Sequence, residues 1–394
     1  MSEFNRLLAE HCSDGVEVMM LGEIGTFVRG RRFTKADMVE EGIPCIHYGE
    51  IYTEYGVSTR ATVSYVREDL RNQLRYAQPG DVIVASVGET VEDVGKAVAW
   101  LGEGEVAIHD DSFLFRSELN PTYVSYYFQT SAFRAEKEQH VARAKVKRLS
   151  SSGLSRVTIP VPPPEVQSEI VRILDKMIDL QAELQAELQA RARQYEHYRD
   201  QLLTFTERDK VRWATLGELA TVRTGQPPGD VFASVTKGGA IPFVNAGTTA
   251  SGWVLEANTQ GDAVTIPSRG QGGVGVVGYQ AYDFWCGPLC YRVRSVDVNI
   301  VTTKYLYYFL KSIQPSIRRL QQAGGTPALN RKELITVEVA LPSRGEQERI
   351  VAILDRFDAL TSDMKMGLPA EIEARRKQYE YYRDRLLKFK EKVA

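Results

Sequence analysis

Cysteine is scarce: Cys12, Cys45, Cys286 and Cys290 are the only four in 394 residues. That is no disulfide framework for a chain this long. Cys286 and Cys290 have the look of a metal half-site, but no second Cys or His pair lies nearby to complete four ligands. They read instead as small apolar residues in and beside a strand. Histidine is equally thin, with His11, His47, His109, His140 and His197 scattered along the chain. His109-Asp110-Asp111 resembles part of a metal site, yet no other histidine is near in sequence, so a surface turn is expected. Long apolar runs are also missing. No segment reaches the length of a membrane-spanning helix, and the N-terminus lacks a basic start followed by an apolar core, so a cytoplasmic protein is expected. There is no excess of either charge: the formal net charge is −2. This argues against a uniformly basic DNA-binding domain but not against local basic surfaces.

Catalytic motifs are absent as well. There is no nucleophile elbow, no Walker motif and no zinc-protease motif. The glycine-rich stretch Gly270 to Gly278, GQGGVGVVG, is followed by no helical pattern and by no Lys-Ser/Thr ending. It reads as tight turns between strands. A DNA methyltransferase would need a cofactor loop and an aromatic catalytic tetrapeptide, and a nuclease would need clustered carboxylates. Neither is present, so a non-enzymatic chain is expected, with no catalytic, cofactor-binding or metal residues.

What the chain does contain is a repeat of itself. The segment Val166 to Phe205 and the segment Glu346 to Phe389 align at both ends. Gln167, Leu174 and Asp175 match Gln347, Leu354 and Asp355; Tyr195, Tyr198, Arg199, Asp200, Leu202, Leu203 and Phe205 match Tyr379, Tyr382, Arg383, Asp384, Leu386, Leu387 and Phe389. Upstream the likeness is weaker. Leu21-Gly22-Glu23-Ile24 matches Leu216-Gly217-Glu218-Leu219, and Ile43-Pro44 matches Ile241-Pro242. Gly80-Asp81 with Ser86 and Gly88 matches Gly261-Asp262 with Ser268 and Gly270, and Tyr126-Tyr127-Phe128 is matched with Tyr307-Tyr308-Phe309.

Both repeated segments predict long helices. In the first, Ile170, Leu174, Met177, Gln181, Leu184, Leu188, Arg191, Tyr195, Tyr198, Leu202 and Phe205 follow an alternating four-three spacing, a heptad seam. Gln181 and Arg191 interrupt its apolar character and are expected to fix register. The second opens on Ser343-Arg344-Gly345-Glu346, the pattern of a capping box. Gly367-Leu368-Pro369 then predicts a kink or break, because an interior proline removes a helical hydrogen bond. Residues 206–342 leave room for the two helices to pair antiparallel.

The regions before each helix read as mixed strands and helices. Val82 to Ala85 and Val63 to Val66 are strand candidates, Val157 to Val161 and Val337 to Leu341 closing strands, and Asn120-Pro121 opens a helix through Phe133. The predicted fold is α+β: two similar mixed α/β domains, separated and joined by two long helices that pair as an antiparallel coiled coil. The expected bounds are 1–164 for the first domain and 165–207 for the central helix. They are 208–342 for the second domain and 343–394 for the C-terminal helix, kinked near 367–369.

Basic and polar clusters mark where nucleic acid would lie. In the first domain these are Arg29, Arg31, Arg32 and Lys35, then Arg143, Lys145, Lys147 and Arg148, with Ser86 and Lys96 as weaker candidates. In the second they are Ser268, Arg269 and Gln271, Arg318 and Arg319, and Asn330, Arg331 and Lys332. Such residues contact phosphates, and Arg, Asn and Gln also pair with base edges. Arg148 and Arg331 leave the two domains at comparable points of the sequence. The near-identical stretches around Tyr195, Tyr198 and Arg199 and around Tyr379, Tyr382 and Arg383 are candidates for docking two copies of one partner.

The order of these motifs, doubled in one chain, resembles the DNA-specificity subunit of type I restriction-modification systems. The residues that carry it begin with His11-Cys12-Ser13-Asp14-Gly15-Val16 running into Leu21-Gly22-Glu23-Ile24, and with Pro79-Gly80-Asp81-Val82-Ile83 before Val94-Gly95-Lys96. Lys145-Val146-Lys147-Arg148-Leu149 and Ile159-Pro160-Val161-Pro162-Pro163 continue it. In the second half Gly324-Gly325-Thr326, Leu329-Asn330, Leu341-Pro342 and Gln347 repeat it. Ser343-Arg344 departs from the family's proline-rich exit, and the Gly367–Pro369 break perturbs the second helix. The resemblance implies two target-recognition domains, each reading half of a split, asymmetric site in double-stranded DNA. It implies helices that act as spacer and dock two methylation subunits, which hold the S-adenosylmethionine and methylate adenine. Separate restriction subunits translocate and cleave with ATP, and the specificity subunit has no catalytic residue or cofactor of its own. The rival readings are a non-catalytic protein-binding scaffold, or the specificity component of another methyltransferase or restriction system.

Overall fold

In the computed structural model, residues 3–142, 146–206, 211–228, 241–271, 273–322, 326–362 and 368–392 are described, with side chains 360–362 excepted. Arg143, Lys145, Gly272, Gly324, Gly325 and Gly367 lie outside the described residues. The chain forms two compact units, Met1–Leu184 with Ile372–Ala394, and Gln185–Glu371.

The first unit is built around Val82–Ala85, an uninterrupted apolar strand buried on both faces. Such a run needs cover on both sides, and it receives it. The strand is the middle of a five-stranded sheet with Gly25–Arg29 and Ser112–Ser117 on one side and Ala97–Trp100 and Ser58–Thr59 on the other. Helix Pro121–Tyr127 and the long helix cover one face through Tyr123, Val124, Ile170 and Leu174. The other face, with Ile83, Val98 and Leu114, meets Ile46, Ala77 and Ile108 of a second five-stranded sheet. A short pair, Val18–Met20 with Thr158–Pro160, closes the unit. The turn before the central strand needs Gly80, which holds φ at +96°.

The second unit repeats this plan with fewer strands. Ala220–Thr224, Cys290–Ser295, Ala263–Pro267 and Gly278–Gln280 form its central sheet, and Gly252–Val254, Ile241–Val244 and Trp285–Cys286 a smaller one. Arg212–Thr215 with Glu338–Leu341 is the closing pair. The hydrogen bonds show which residues correspond. Leu21 and Gly22 donate to Val157 and Ser155 in the first unit; Leu216 and Gly217 donate to Val337 and Ile335 in the second. Tyr123 and Tyr126 donate to Pro160 O and Asp175, and Tyr305 and Tyr308 to Ala340 O and Asp355. Tyr126 therefore corresponds to Tyr308, and the sequence match to Tyr307 is off by one residue. Apolar aromatic runs admit such a slip, because neighbouring Tyr and Phe score alike while only one reaches the carboxylate.

The central helix spans Pro164–Leu203 and the C-terminal segment forms two helices, Arg344–Ser362 and Leu368–Leu386. Pro369 sits in the first turn of the last helix, where its missing N–H costs nothing. The heptad seam holds as far as Tyr195: Ile170 and Leu174 are fully buried, and Met177, Gln181, Leu184, Leu188, Arg191 and Tyr195 are half-buried. Beyond it Tyr198 is exposed, Leu203 rather than half-buried Leu202 is buried, and Phe205 lies past the helix end. Each unit collects both long segments. In the first, Tyr379, Leu386 and Leu387 join the core that holds Ile170 and Leu174. In the second, Leu203 joins the core that holds Ile350 and Leu354, and Tyr198 stacks on Phe357 with centroids 5.7 Å apart. In both, the start of one segment meets the end of the other, which is the antiparallel sense.

Two local expectations are corrected. The helix opened by Asn120 ends at Tyr127, and Thr130 caps a separate helix, Ser131–Glu138, by accepting from Phe133 N. A threonine hydroxyl that bonds the backbone favours a cap over a helix interior. The capping box at Ser343 is half formed. Ser343 Oγ accepts from Glu346 N at 3.4 Å, but the Glu346 carboxylate pairs with Arg349 instead of returning to the cap.

Because Leu174 is fully buried between helix and sheet, Leu174→Ala is expected to cost about 2–5 kcal/mol in urea unfolding followed by circular dichroism. Tyr126→Phe, which removes the hydrogen bond to the Asp175 carboxylate, should cost about 1.5–3 kcal/mol, the range for a bond to a charged group. A cost under about 1 kcal/mol for Leu174→Ala would show that the helix is not part of the core.

Candidate nucleic-acid interface

Three segments of the first unit converge at the end of its central sheet. The strand ending at Arg29 runs into Gly30, whose N–H donates to Ser112 O at 3.0 Å. The approach is so close that a Cβ on Gly30 would stand 2.1 Å from His109 O. Gly225 makes the same approach in the second unit, where a Cβ would stand 1.8 Å from Cys286 O. This contact places Arg29 against the turn His109–Asp111. Arg29 Nε donates to Asp110 O at 2.7 Å, and Arg148 pairs with Asp111 at 3.3 Å. Ser86 N donates to Asp111 O and Ser86 O accepts from Leu149 N, so the strand bearing Arg148 is held beside the turn. Arg29, Ser86 and Arg148 line one recess of about 420 Å³.

Arg31 and Arg32 follow on the exposed rim and Lys147 is half-buried beside Gly88. Lys96 is elsewhere. It pairs with Asp93 at 3.5 Å and lies 5.3 Å over the Tyr52 ring. Lys145 lies outside the described residues.

The two arginine side chains are more than half exposed. Exposed ion pairs are worth little, about 0–1 kcal/mol. A phosphate therefore competes for these guanidinium groups at small cost, while Asp110 and Asp111 hold them extended beforehand.

His109 is not on the surface, which corrects the sequence reading of this turn. It is buried, 5.1 Å from the Phe33 ring and 4.5 Å from the His47 ring. Burial holds its pKa below the ordinary histidine value and, with His109 and Lys35 nearby, pushes His47 down to about 4. Nδ1 of each ring accepts a backbone N–H, from Asp111 and from Gly49. The ligand atoms of His109, Asp110 and Asp111 lie within 4.8 Å of one another. Nδ1 of His109 already accepts from Asp111 N, the Asp111 carboxylate pairs with Arg148 at 3.3 Å and that of Asp110 lies 3.7 Å from Arg29, so the group builds a turn. The pairing of Asp110 and Asp111 with Arg29 and Arg148 was not foreseen; its only sequence signal is an acidic pair directly after the strand Val106–Ile108.

In the second unit, Leu329 N donates to Ser268 O and Ser268 N to Leu289 O, the same frame as at Ser86. Arg269 bridges Ala328. Arg148 thus corresponds to Ala328, and Arg331 lies three residues further on, so the two arginines do not occupy comparable points. Side-chain likeness misled the sequence comparison where backbone register decides. Asn330 caps the helix Arg331–Leu334 by accepting from Lys332 N, and Arg331 Nε donates to Val222 O at 2.7 Å. Arg269, Gln271 and Lys332 are exposed. Cys286 and Cys290 are free and buried with Val244 and Phe284.

The repeated helical stretches turn mostly inward. Tyr379 is buried and donates to Gln129, with Arg383 5.7 Å over its ring and 2.8 Å from Asp384. Arg199 lies 5.8 Å over Tyr195 and 2.7 Å from Asp200. Tyr198 and Tyr382 remain exposed, at 39% and 38%.

This arrangement has counterparts among known proteins. The family described as Type I restriction modification DNA specificity domain matches residues 13–193 and 210–374. The type I restriction enzyme EcoR124I/EcoR124II specificity subunit of Escherichia coli is 36% identical over 293 residues, covering 68% of this chain and 70% of that protein. A putative type I restriction enzyme specificity subunit of Haemophilus influenzae is 33% identical over 302 residues, covering 70% and 74%. Among solved structures, a chain of a type I R-M system superposes with a TM-score of 0.67 at 17% identity, over 95% of this chain and 98% of that one. The S subunit from M. genitalium gives 0.56 at 16%, over 94% and 96%. The two matched stretches coincide with the structural repeat, and the chain belongs to the family of type I restriction-modification specificity subunits, non-catalytic components with two target-recognition domains.

Proposed function

We propose that the chain reads a bipartite, asymmetric site in duplex DNA, one half with residues 1–164 and the other with residues 208–342, and directs adenine methylation and ATP-dependent restriction by partner subunits. The observation that carries this is the pair of equivalent backbone frames with unlike side chains: Arg148 and Asp111 in one, Ala328 and Leu289 in the other. A protein-binding scaffold gives no reason for such divergence on a retained frame. No helix among the described residues is long and apolar enough to cross a membrane, and the cytoplasm, where DNA is met, is the expected compartment.

Arg29, Arg31, Arg32 and Arg148 are the principal contacts in the first domain, with Lys147 beside them and Lys145 and Lys96 as further candidates; Ser86 supports the frame. In the second domain the contacts are Arg269, Gln271 and Lys332, with Ser268, Asn330 and Arg331 holding them in place. Arg148→Ala is expected to weaken binding of specific and unrelated duplexes alike and to lower the salt slope by about one ion. Loss confined to one cognate sequence would instead make Arg148 a base reader, and an unchanged salt titration would remove it from the interface.

Two methylation subunits are expected per chain, each docked near one exposed tyrosine, Tyr198 or Tyr382, with Tyr195, Arg199, Tyr379 and Arg383 shaping the helix beneath. Native mass measurement should show one chain with two such subunits. Tyr198→Ala and Tyr382→Ala should each reduce the occupancy toward one, and a one-to-one complex at saturation of the unaltered chain contradicts the assignment.

The central helix is the ruler in this reading. The boundary between the units falls at Leu184, within the 40-residue helix. Inserting four residues there adds about 6 Å of helix. Methylation mapping should then show the unspecified gap changed by about one or two base pairs, as expected where ~10 base pairs span ~34 Å, with both defined halves retained. Helicity and partner binding serve as the folding control. An altered half-site with an unaltered gap refutes the ruler.

A further inference from the structure

The two central sheets can be compared position by position. Gly25 pairs with Ser117 and Val82 with Phe115 in the first unit; Ala220 pairs with Ser295 and Val264 with Val293 in the second. By this register Arg292 takes the place of Leu114, Thr265 that of Ile83 and Arg223 that of Val28. In the first unit Leu114, Ile83 and Val28 pack against Ile46, Ile51 and Trp100. In the second unit the same face bears Arg223 directly opposite Arg292, with Arg294 two residues along and opposite Thr221. Val222 and Val293, on the other face, are buried in the core.

Like charges set directly across a strand pair weaken it, and the first unit shows that this sheet closes without them. The arginines line a recess of about 380 Å³ whose described lining includes Asn258, Thr259 and Gln260 but no carboxylate. Arg292 Nη1 donates to Thr259 Oγ1 at 2.8 Å, and Arg294 Nη2 to Gln260 O at 2.6 Å. Of the acidic residues bordering this loop, Asp262 accepts from Tyr279 and Asp283 from Gly261 N, each at 2.8 Å, while Glu256 is exposed and outside the lining. A guanidinium has five N–H donors, so bonds that orient Arg292 and Arg294 leave donors for a ligand. Three forked cations without a carboxylate suit a phosphate group, which accepts such forks in pairs.

We infer that Arg223, Arg292 and Arg294 form a phosphate-binding site on the second recognition domain, occupied by the backbone of bound DNA. This rests on the DNA-reading function proposed above. The site lies level with Ala263 to Thr265 of the strand Ala263–Pro267, with Arg292 paired to Thr265, and Ser268 and Arg269 follow the strand's other end. Three residues of strand from Thr265 to Ser268 span about 10 Å, so the site extends the footprint beyond the cluster expected from sequence. It positions the duplex without reading it, since phosphate contacts carry no sequence information directly. The sequence signal is the alternation Tyr291-Arg292-Val293-Arg294, polar residues at period two inside a strand.

The test is a salt titration of the full chain with a mixed-sequence 30-base-pair duplex, read by anisotropy, for the unaltered protein, Arg223→Gln and Arg223→Gln/Arg292→Gln. The slope of log affinity against log salt should fall by about 0.9 for each contact removed, so by ~2 in the double variant. Arg223→Lys, which keeps the charge, should keep most of the slope. Arg223 is exposed, so the single variant remains informative if the double variant unfolds on melting. Inorganic phosphate, titrated by calorimetry, separates the two sources of this chemistry. Saturable binding that Arg223→Gln removes, with no change in the DNA slope, keeps the site but assigns it to a free phosphate. Normal DNA binding with unchanged slopes and no phosphate binding overturns the site alone. Absence of any duplex binding by the unaltered chain overturns the DNA-reading function, and the DNA occupancy of the site with it.

Discussion

A buried tyrosine hydroxyl held by a helical carboxylate, used once in each unit, joins each recognition domain to its long helix. Tyr126 donates to Asp175 and Tyr308 to Asp355, both at 2.5 Å. Hydrogen bonds to an ionised acceptor are the short, strong kind. The residues immediately before the two carboxylates, Leu174 and Leu354, are fully buried. The helix is therefore a layer of the domain rather than a tether to it. Sliding or turning it would expose a leucine and strand a buried hydroxyl together, so a displacement of the helix carries the reading surface with it.

On that fixed frame the reading surfaces are free to differ. The bonds that hold Ser86 between Asp111 and Leu149 recur at Ser268 between Leu289 and Leu329, and all run between backbone atoms. Backbone donors and acceptors are the same whatever the side chain. Asp111 and Arg148 can thus become Leu289 and Ala328 without loss to the frame. The same freedom lets an apolar sheet face around Leu114 and Val28 become the cationic recess around Arg292 and Arg223. One scaffold carries two specificities because its register is set by groups that every residue possesses.

The likeness of the two helical stretches has a cause inside the molecule. Tyr379 packs with the first core and Tyr195 with the second. Each tyrosine meets a copy of one domain plan, and each lies beneath an arginine, Arg383 or Arg199. Docking on two equivalent domains would preserve these residues even without an external partner. Of the repeated tyrosines, Tyr198 and Tyr382 are the pair that stays exposed.

Much of the architecture was legible from the chain alone. The four-three spacing from Ile170 to Phe205, the apolar run Val82–Ala85, the cap at Asn120 and the doubled order of motifs are local patterns, and local patterns follow from helix and strand periodicity. They determined two similar α/β domains and long helices, with room for those helices to pair antiparallel. Tertiary structure decided what depends on residues far apart in sequence. It buried His109 under Phe33 and His47, and gave Asp110 and Asp111 to Arg29 and Arg148. It aligned Tyr126 with Tyr308, brought the Lys96 ammonium to Asp93 and the Tyr52 ring, and set Arg223 across from Arg292. Which side chain faces which is fixed by strand register, and register is set by long-range pairing and packing rather than by the residues adjacent in sequence.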